Sequence, residues 1–140
     1  MVAGYNERLD GLQAAFLRVK LQHLDGWNRA RQQAARAYRE SLPADLGLLP
    51  DHPTERCVYH LFPVRSRERD ALAARLRVAK VHTGIHYAPP LHEQPALAGV
   101  VSAGRDCVEA TAWAHEELSL PIFESMRKEE VEYVAAACVR

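Results

Sequence analysis

An α+β fold with helices packed on a small sheet is what this sequence predicts, and three observations carry the prediction. A long stretch of helical apolar spacing runs from about Glu7 to Ser41. Two short segments rich in β-branched and aromatic residues, Cys57 to Val64 and Val81 to Tyr87, alternate with further helical stretches. The coarse order is then helix, helix, strand, helix, strand, helix, short strand or turn, helix. With 140 residues, 48% of them hydrophobic and 26% charged, the chain can bury one modest core.

Each element has its own signal. In the first stretch Leu9, Leu12, Phe16 and Val19 form one stripe and Leu17, Leu21 and Leu24 an adjacent one, which together predict a broad apolar face. Asp25-Gly26 weakens the middle, so two helices or one bent helix are expected, the second turning Trp27, Ala34, Ala35 and Tyr38 inward. Its other face, Arg29, Arg31, Arg36 and Arg39, reads as solvated. Leu42-Pro43 ends the helix, and Pro43, Gly47, Pro50 and Pro53 mark a loop to Thr54. In the first strand Val58, Phe62 and Val64 fall at alternating sites, while Pro63 points to an edge or a strand end. Arg67 to Lys80, with Leu72 and Leu76 four apart, reads as helix, and Ala88-Pro89-Pro90 stops the second strand. After a loop from Ala96 to Asp106, helix resumes from about Cys107 to Leu118. Ser119-Leu120-Pro121 breaks it, and Ser125 is placed to cap a last helix that buries Val131, Val134 and Cys138.

Composition excludes several classes of function. Eighteen basic residues balance eighteen acidic ones, so no electrostatic footprint for nucleic acid or an anionic membrane surface is present. Cys57, Cys107 and Cys138 are odd in number and far apart, which argues against zinc and redox motifs and for buried thiols in a reducing, cytoplasmic setting. No apolar run approaches bilayer length.

Among polar residues, Asn6 has two readings: its amide can donate to a phosphate oxygen, with Arg8 adding charge to the same anion site, or it caps the first helix and Arg8 is exposed. His82, His86 and His92 invite a metal reading, but on a strand His82 and His86 stand too far apart for one ion, and only Glu93 is near as a further ligand. His60 reads as a core or edge histidine, Trp27 and Trp113 as packing, and Tyr5, Tyr59 and Tyr87 as structural. Lys20, Lys80 and Lys128, the three lysines, all read as solvated surface.

Several blocks occur in a characteristic order: Gly4-Tyr5-Asn6-Glu7-Arg8-Leu9-Asp10 with the run through Arg29, Val58-Tyr59-His60-Leu61-Phe62-Pro63-Val64, Thr83-Gly84-Ile85-His86-Tyr87 through His92, and Glu117-Leu118-Ser119-Leu120-Pro121-Ile122-Phe123. Together they resemble the DegT/StrS family of pyridoxal-phosphate sugar aminotransferases, across essentially the whole chain but aligned with only the family's C-terminal part. Two segments depart from it. Ala79-Lys80-Val81 stands where relatives usually have a Gly-Ile step, and Gly104-Arg105-Asp106-Cys107 replaces a segment containing Phe-Pro.

The resemblance implies the C-terminal small domain of a fold-type-I aminotransferase: connecting helices over 1–41 and a small α+β domain over 42–140, its sheet mainly antiparallel. It implies that Asn6 reaches the cofactor phosphate of the other subunit of a dimer, with Arg8 beside it. His86, Tyr87 and His92 would belong to the wall of the cleft that holds a nucleotide sugar. The Schiff-base lysine would lie upstream of Asn6, so the expectation is an incomplete enzyme needing pyridoxal phosphate, a lysine-bearing domain and a dimer partner. The alternative is a non-catalytic interaction module or half of a split enzyme. In either case the stripe of Leu9, Leu12, Phe16 and Val19 is expected to pack on groups outside this chain.

Overall fold

The computed structural model describes residues 9–50, 57–97 and 107–139. Its first helix, α1 (Gly11–Leu21), starts at Asp10, whose side chain accepts the backbone N–H of Leu12 at 2.9 Å and of Gln13 at 3.1 Å. Asp10 thereby satisfies two of the four N–H groups that every helix start leaves without a partner. The chain breaks at Gln22-His23, three residues before the predicted Asp25-Gly26, and continues as α2 (Leu24–Ser41). A stacked His23–Trp27 ring pair, 5.7 Å between centroids, marks the junction.

The sheet has three antiparallel strands in the order β1 (Gly47–Leu48), β2 (Phe62–Arg65), β3 (Glu117–Leu120). The predicted first strand is shorter than expected, starting at Phe62, and β1 emerges from a segment that reads as loop. Pro63 sits in the central strand without breaking it. It faces Ser119, which exchanges its N–H and C=O with Gly84 on the other side at 2.8 and 3.2 Å. Pro63 and Ser119 are therefore a non-hydrogen-bonded pair, and β1 ends before reaching Pro63, so the missing donor costs no ladder bond. The predicted second strand, Val81 to Tyr87, contracts to this single Gly84–Ser119 bridge along the edge of β3.

Helices α3 (Arg69–Val78), α4 (Val108–Glu116) and α5 (Lys128–Cys138) complete the fold, with short 3₁₀ turns at Leu91–Glu93 and Pro95–Leu97. Packing of α5 on α2 and α3 closes one core. Ala35 and Tyr38 of α2, Val64, Leu72, Leu76, Leu118 and Val131 are all essentially buried, so the inward set predicted for α2, α3 and α5 holds except at Trp27, which is half-buried and outside the core. The Tyr38 hydroxyl donates to the Pro121 carbonyl at 2.9 Å, which keeps a buried polar group satisfied.

Helix α3 ends in a Schellman motif: the Val81 N–H bonds Leu76 O at 2.8 Å and the Lys80 N–H bonds Arg77 O at 3.0 Å, with Val81 and Leu76 both in the core. Lys80 holds the left-handed position of that motif, φ 60°, where glycine is the usual occupant.

Other expectations are corrected. Arg31 is not merely solvated: it donates to Ile122 O at 2.9 Å and pairs with Glu124 at 3.0 Å, while Arg39 donates to Leu49 O at 2.7 Å. Ser125 does not cap α5; Arg127 is the cap residue, its N–H held by the Glu130 carboxylate at 2.8 Å. Cys57 and Cys107 are exposed, leaving Cys138 as the buried thiol. His60 lies exposed just before β2. Among the described residues, α1 buries none of its side chains, so its parts of both apolar stripes stand exposed.

Candidate functional site

Strand alternation gives β3 two unlike faces. Leu118 and Leu120 enter the core, and Glu117 and Ser119 point to the opposite side, yet all four are buried. What covers Glu117 and Ser119 is the segment from Gly84 to Tyr87. The Glu117 side chain, wholly inaccessible to solvent, accepts the His86 backbone N–H at 2.8 Å on one oxygen and the Ser119 hydroxyl at 2.5 Å on the other. Arg69 reaches the Glu117 main-chain carbonyl at 3.4 Å.

The His86 ring folds back over Gly84. A Cβ at position 84 would stand 2.5 Å from His86 Cε1, a distance at which something must move, so only glycine leaves room for the imidazole. His86 Nδ1 is buried and has no hydrogen-bond partner among the described residues. Tyr87 meets the imidazole edge-on, 5.0 Å between centroids, and is itself 75% exposed. These two predicted residues thus come together on the outer side of the sheet.

His92 lies elsewhere, at the 3₁₀ turn packed on α4. The Thr111 hydroxyl donates to Glu93 at 3.1 Å, which uses its one proton, so His92 Nε2, 3.1 Å from the same oxygen, is the donor to it. His82 is exposed, and among the described residues no three His, Cys, Asp or Glu side chains converge on a metal position. On β2, Arg65 bonds Glu116 and lies 5.7 Å over the Trp113 ring, so Trp113 serves packing. Two hollows of about 450 and 470 Å³ flank His82, one against Asp70, Arg77 and Ile85, the other against Phe123, Arg127 and Tyr133.

Asn6 and Arg8 lie outside the described residues. The helix start offered to Asn6 in the capping reading is occupied by Asp10. A lysine that forms a Schiff base with pyridoxal phosphate needs a desolvated pocket. Lys20, Lys80 and Lys128 are all exposed, so the described residues do not by themselves fit that cofactor.

Sequence reasoning missed Glu117 and Thr111. Strand alternation puts Glu117 on the same face as Ser119, but only once the segment is known to be β3 rather than the end of the helix expected to run to Leu118.

The chain belongs to the DegT/DnrJ/EryC1/StrS aminotransferase family, whose pattern it matches over residues 1–139. It is 43% identical over 137 residues to the erythromycin biosynthesis sensory transduction protein EryC1 of Saccharopolyspora erythraea, covering 96% of this chain and 37% of that one. To the dTDP-3-amino-3,4,6-trideoxy-α-D-glucose transaminase of Streptomyces venezuelae it is 40% identical over 121 residues, 85% of this chain and 32% of that one. Its fold superposes on S. venezuelae DesV in complex with a ketimine intermediate with a TM-score of 0.89 at 37% identity, over 97% of this chain and 37% of DesV. These relatives include transaminases of dTDP- and UDP-linked sugars. The chain spans about 37% of their length, the extent of a C-terminal portion of such an aminotransferase. The small antiparallel sheet with its packed helices agrees with the fold the resemblance implies.

Proposed function

We propose that this chain forms the C-terminal portion of a pyridoxal-phosphate-dependent nucleotide-sugar aminotransferase, one that moves an amino group from an amino acid such as glutamate to a keto-sugar. The observation that carries the reading is the family match over residues 1–139 combined with 40% identity to a dTDP-sugar transaminase. The cofactor would supply the electron sink for amino transfer, and its lysine would come from outside these 140 residues. Asn6 and Arg8 are assigned to the cofactor phosphate across a dimer, and His86, Tyr87 and His92 to the wall of the sugar-nucleotide cleft. Residues 1–41 are assigned as the connecting helices that lead from the cofactor domain, and 42–140 as the small domain, in a cytoplasmic enzyme.

A second reading accounts equally for the exposed stripe of Leu9, just before α1, and Leu12 and Phe16 on it, which are 69, 68 and 63% exposed. In it the chain is an interaction module, or half of a split enzyme, that completes a partner's site. One experiment separates the two. The chain is mixed with the lysine-bearing remainder of the S. venezuelae transaminase, pyridoxal phosphate, glutamate and a dTDP-keto-sugar. Amino transfer that falls in Asn6→Ala supports a catalytic role, as the C-terminal portion of an aminotransferase or as half of a split one, against a non-catalytic module. A stable complex without transfer supports the module, and neither complex nor transfer contradicts both.

A further inference from the structure

We infer that Glu117 is a positioning residue, and that with Gly84 it fixes His86 so that the Nε2–H of the imidazole is the hydrogen-bond donor left accessible while Nδ1 is sealed in. The inference deepens the sugar-aminotransferase reading and rests on it for the identity of the acceptor, an oxygen of the bound nucleotide sugar.

Three observations converge on it. Burying a carboxyl at the start of a strand, next to core Leu118, is costly unless both oxygens are paired. Glu117 meets that condition through the His86 N–H at 2.8 Å and the Ser119 hydroxyl at 2.5 Å, so the segment around His86 is tied to the strand by its main chain. The imidazole then has one place to go, the space over Gly84 that a Cβ would fill. In that place Nδ1 is buried without a partner among the described residues.

That burial selects the tautomer. A buried N–H with no acceptor forfeits a strong hydrogen bond to water, and orphaned buried donors are rarer than under-satisfied acceptors. The proton of the neutral ring therefore sits on Nε2, the nitrogen that is not sealed inside. An accessible Nε2–H can donate to a phosphate or hydroxyl oxygen but has no lone pair with which to take a proton. His86 is thus a substrate-orienting donor and not a general base.

The test needs neither cofactor nor sugar, so its outcome is independent of the function assigned above. Two-bond ¹H–¹⁵N correlation spectra of the uniformly labelled chain, with His86 assigned by comparison with His86→Gln, report which ring nitrogen carries the proton. The expected pattern is a protonated Nε2 and an unprotonated Nδ1. In Glu117→Leu, which replaces the buried carboxyl with an apolar side chain, the two nitrogens move toward an exchange-averaged mixture. Glu117→Gln, which keeps an acceptor for the His86 N–H, retains the original pattern. Gly84→Ala, outside the core, provides an independent arm: displacing the ring abolishes the preference even if Glu117→Leu does not fold. A protonated Nδ1 in the parent chain, or an unchanged pattern in both Glu117→Leu and Gly84→Ala, overturns the inference. So does loss of the pattern in Glu117→Gln.

Discussion

Helices α1 and α5 are each eleven residues long, and they end in opposite situations. Each has helical apolar spacing and a capped start, Asp10 in one and the Arg127–Glu130 contact in the other. Yet α5 buries Val131, Val134, Ala135 and Cys138 against α2 and α3, while α1 buries nothing. An apolar stripe records that a helix has a packing partner. It does not say that the partner is in the same chain. In a chain that spans about 37% of its relatives, α5 answers to residues of this chain, and α1, on the account proposed above, to residues outside it.

The contrast predicts unequal costs of truncation. Leu76→Ala, in the fully buried α3 side chain of the core that α5 helps enclose, should destabilise the chain by about 2–5 kcal/mol in urea unfolding. Phe16→Ala on α1 should stay within about 0.5 kcal/mol of the parent while lowering binding of a hydrophobic dye. Equal losses at the two sites would mean that α1 packs within the chain after all.

A smaller effect is expected where α3 turns toward the core. Lys80 holds a left-handed φ of 60° for which glycine carries no Cβ penalty. Lys80→Gly should stabilise by about 1 kcal/mol, less whatever glycine gains in the unfolded chain. A clear loss of stability would show that the Lys80 side chain makes a contribution beyond its backbone position.

The buried side of α5 also sets a pH dependence. Burial pushes the Cys138 thiol up from its ordinary 9.0 to about 11, with Arg75 acting weakly in the opposite sense. Burial, then repulsion from Cys138, raises the Tyr38 hydroxyl as well. For groups raised on folding, the stabilising contribution is complete below the unfolded value and is lost as pH climbs to the folded one. The melting temperature should therefore hold to about pH 9 and decline toward pH 11. A flat profile across that window would mean that neither group is held as described.

The core of this fold was legible in the sequence because its helices obey a 3.6-residue period: Ala34, Ala35, Tyr38, Leu72, Leu76, Val131, Val134 and Cys138 are inward as the spacing implies. The sheet was less legible. Two-residue β1 is too short to show any period, and the Val81–Tyr87 segment pairs at one residue, so its β-like composition serves the loop that carries His86. Of the candidate site, His86 and Tyr87 could be singled out from their block, but not Glu117, the residue that holds them. Its role depends on a contact across 31 positions that no local pattern encodes. Cys57 and Cys107 were misplaced because cysteine's average preference for burial says nothing about a cysteine that begins a loop or a helix.

The most direct test of the central claim is a visible-absorbance titration of the purified chain with pyridoxal phosphate. The account predicts no lysine-adduct band that glutamate can discharge, because Lys20, Lys80 and Lys128 are exposed rather than desolvated. A stoichiometric band lost on adding glutamate, and abolished by substituting one of those three lysines, would contradict it and make this chain an aminotransferase in its own right.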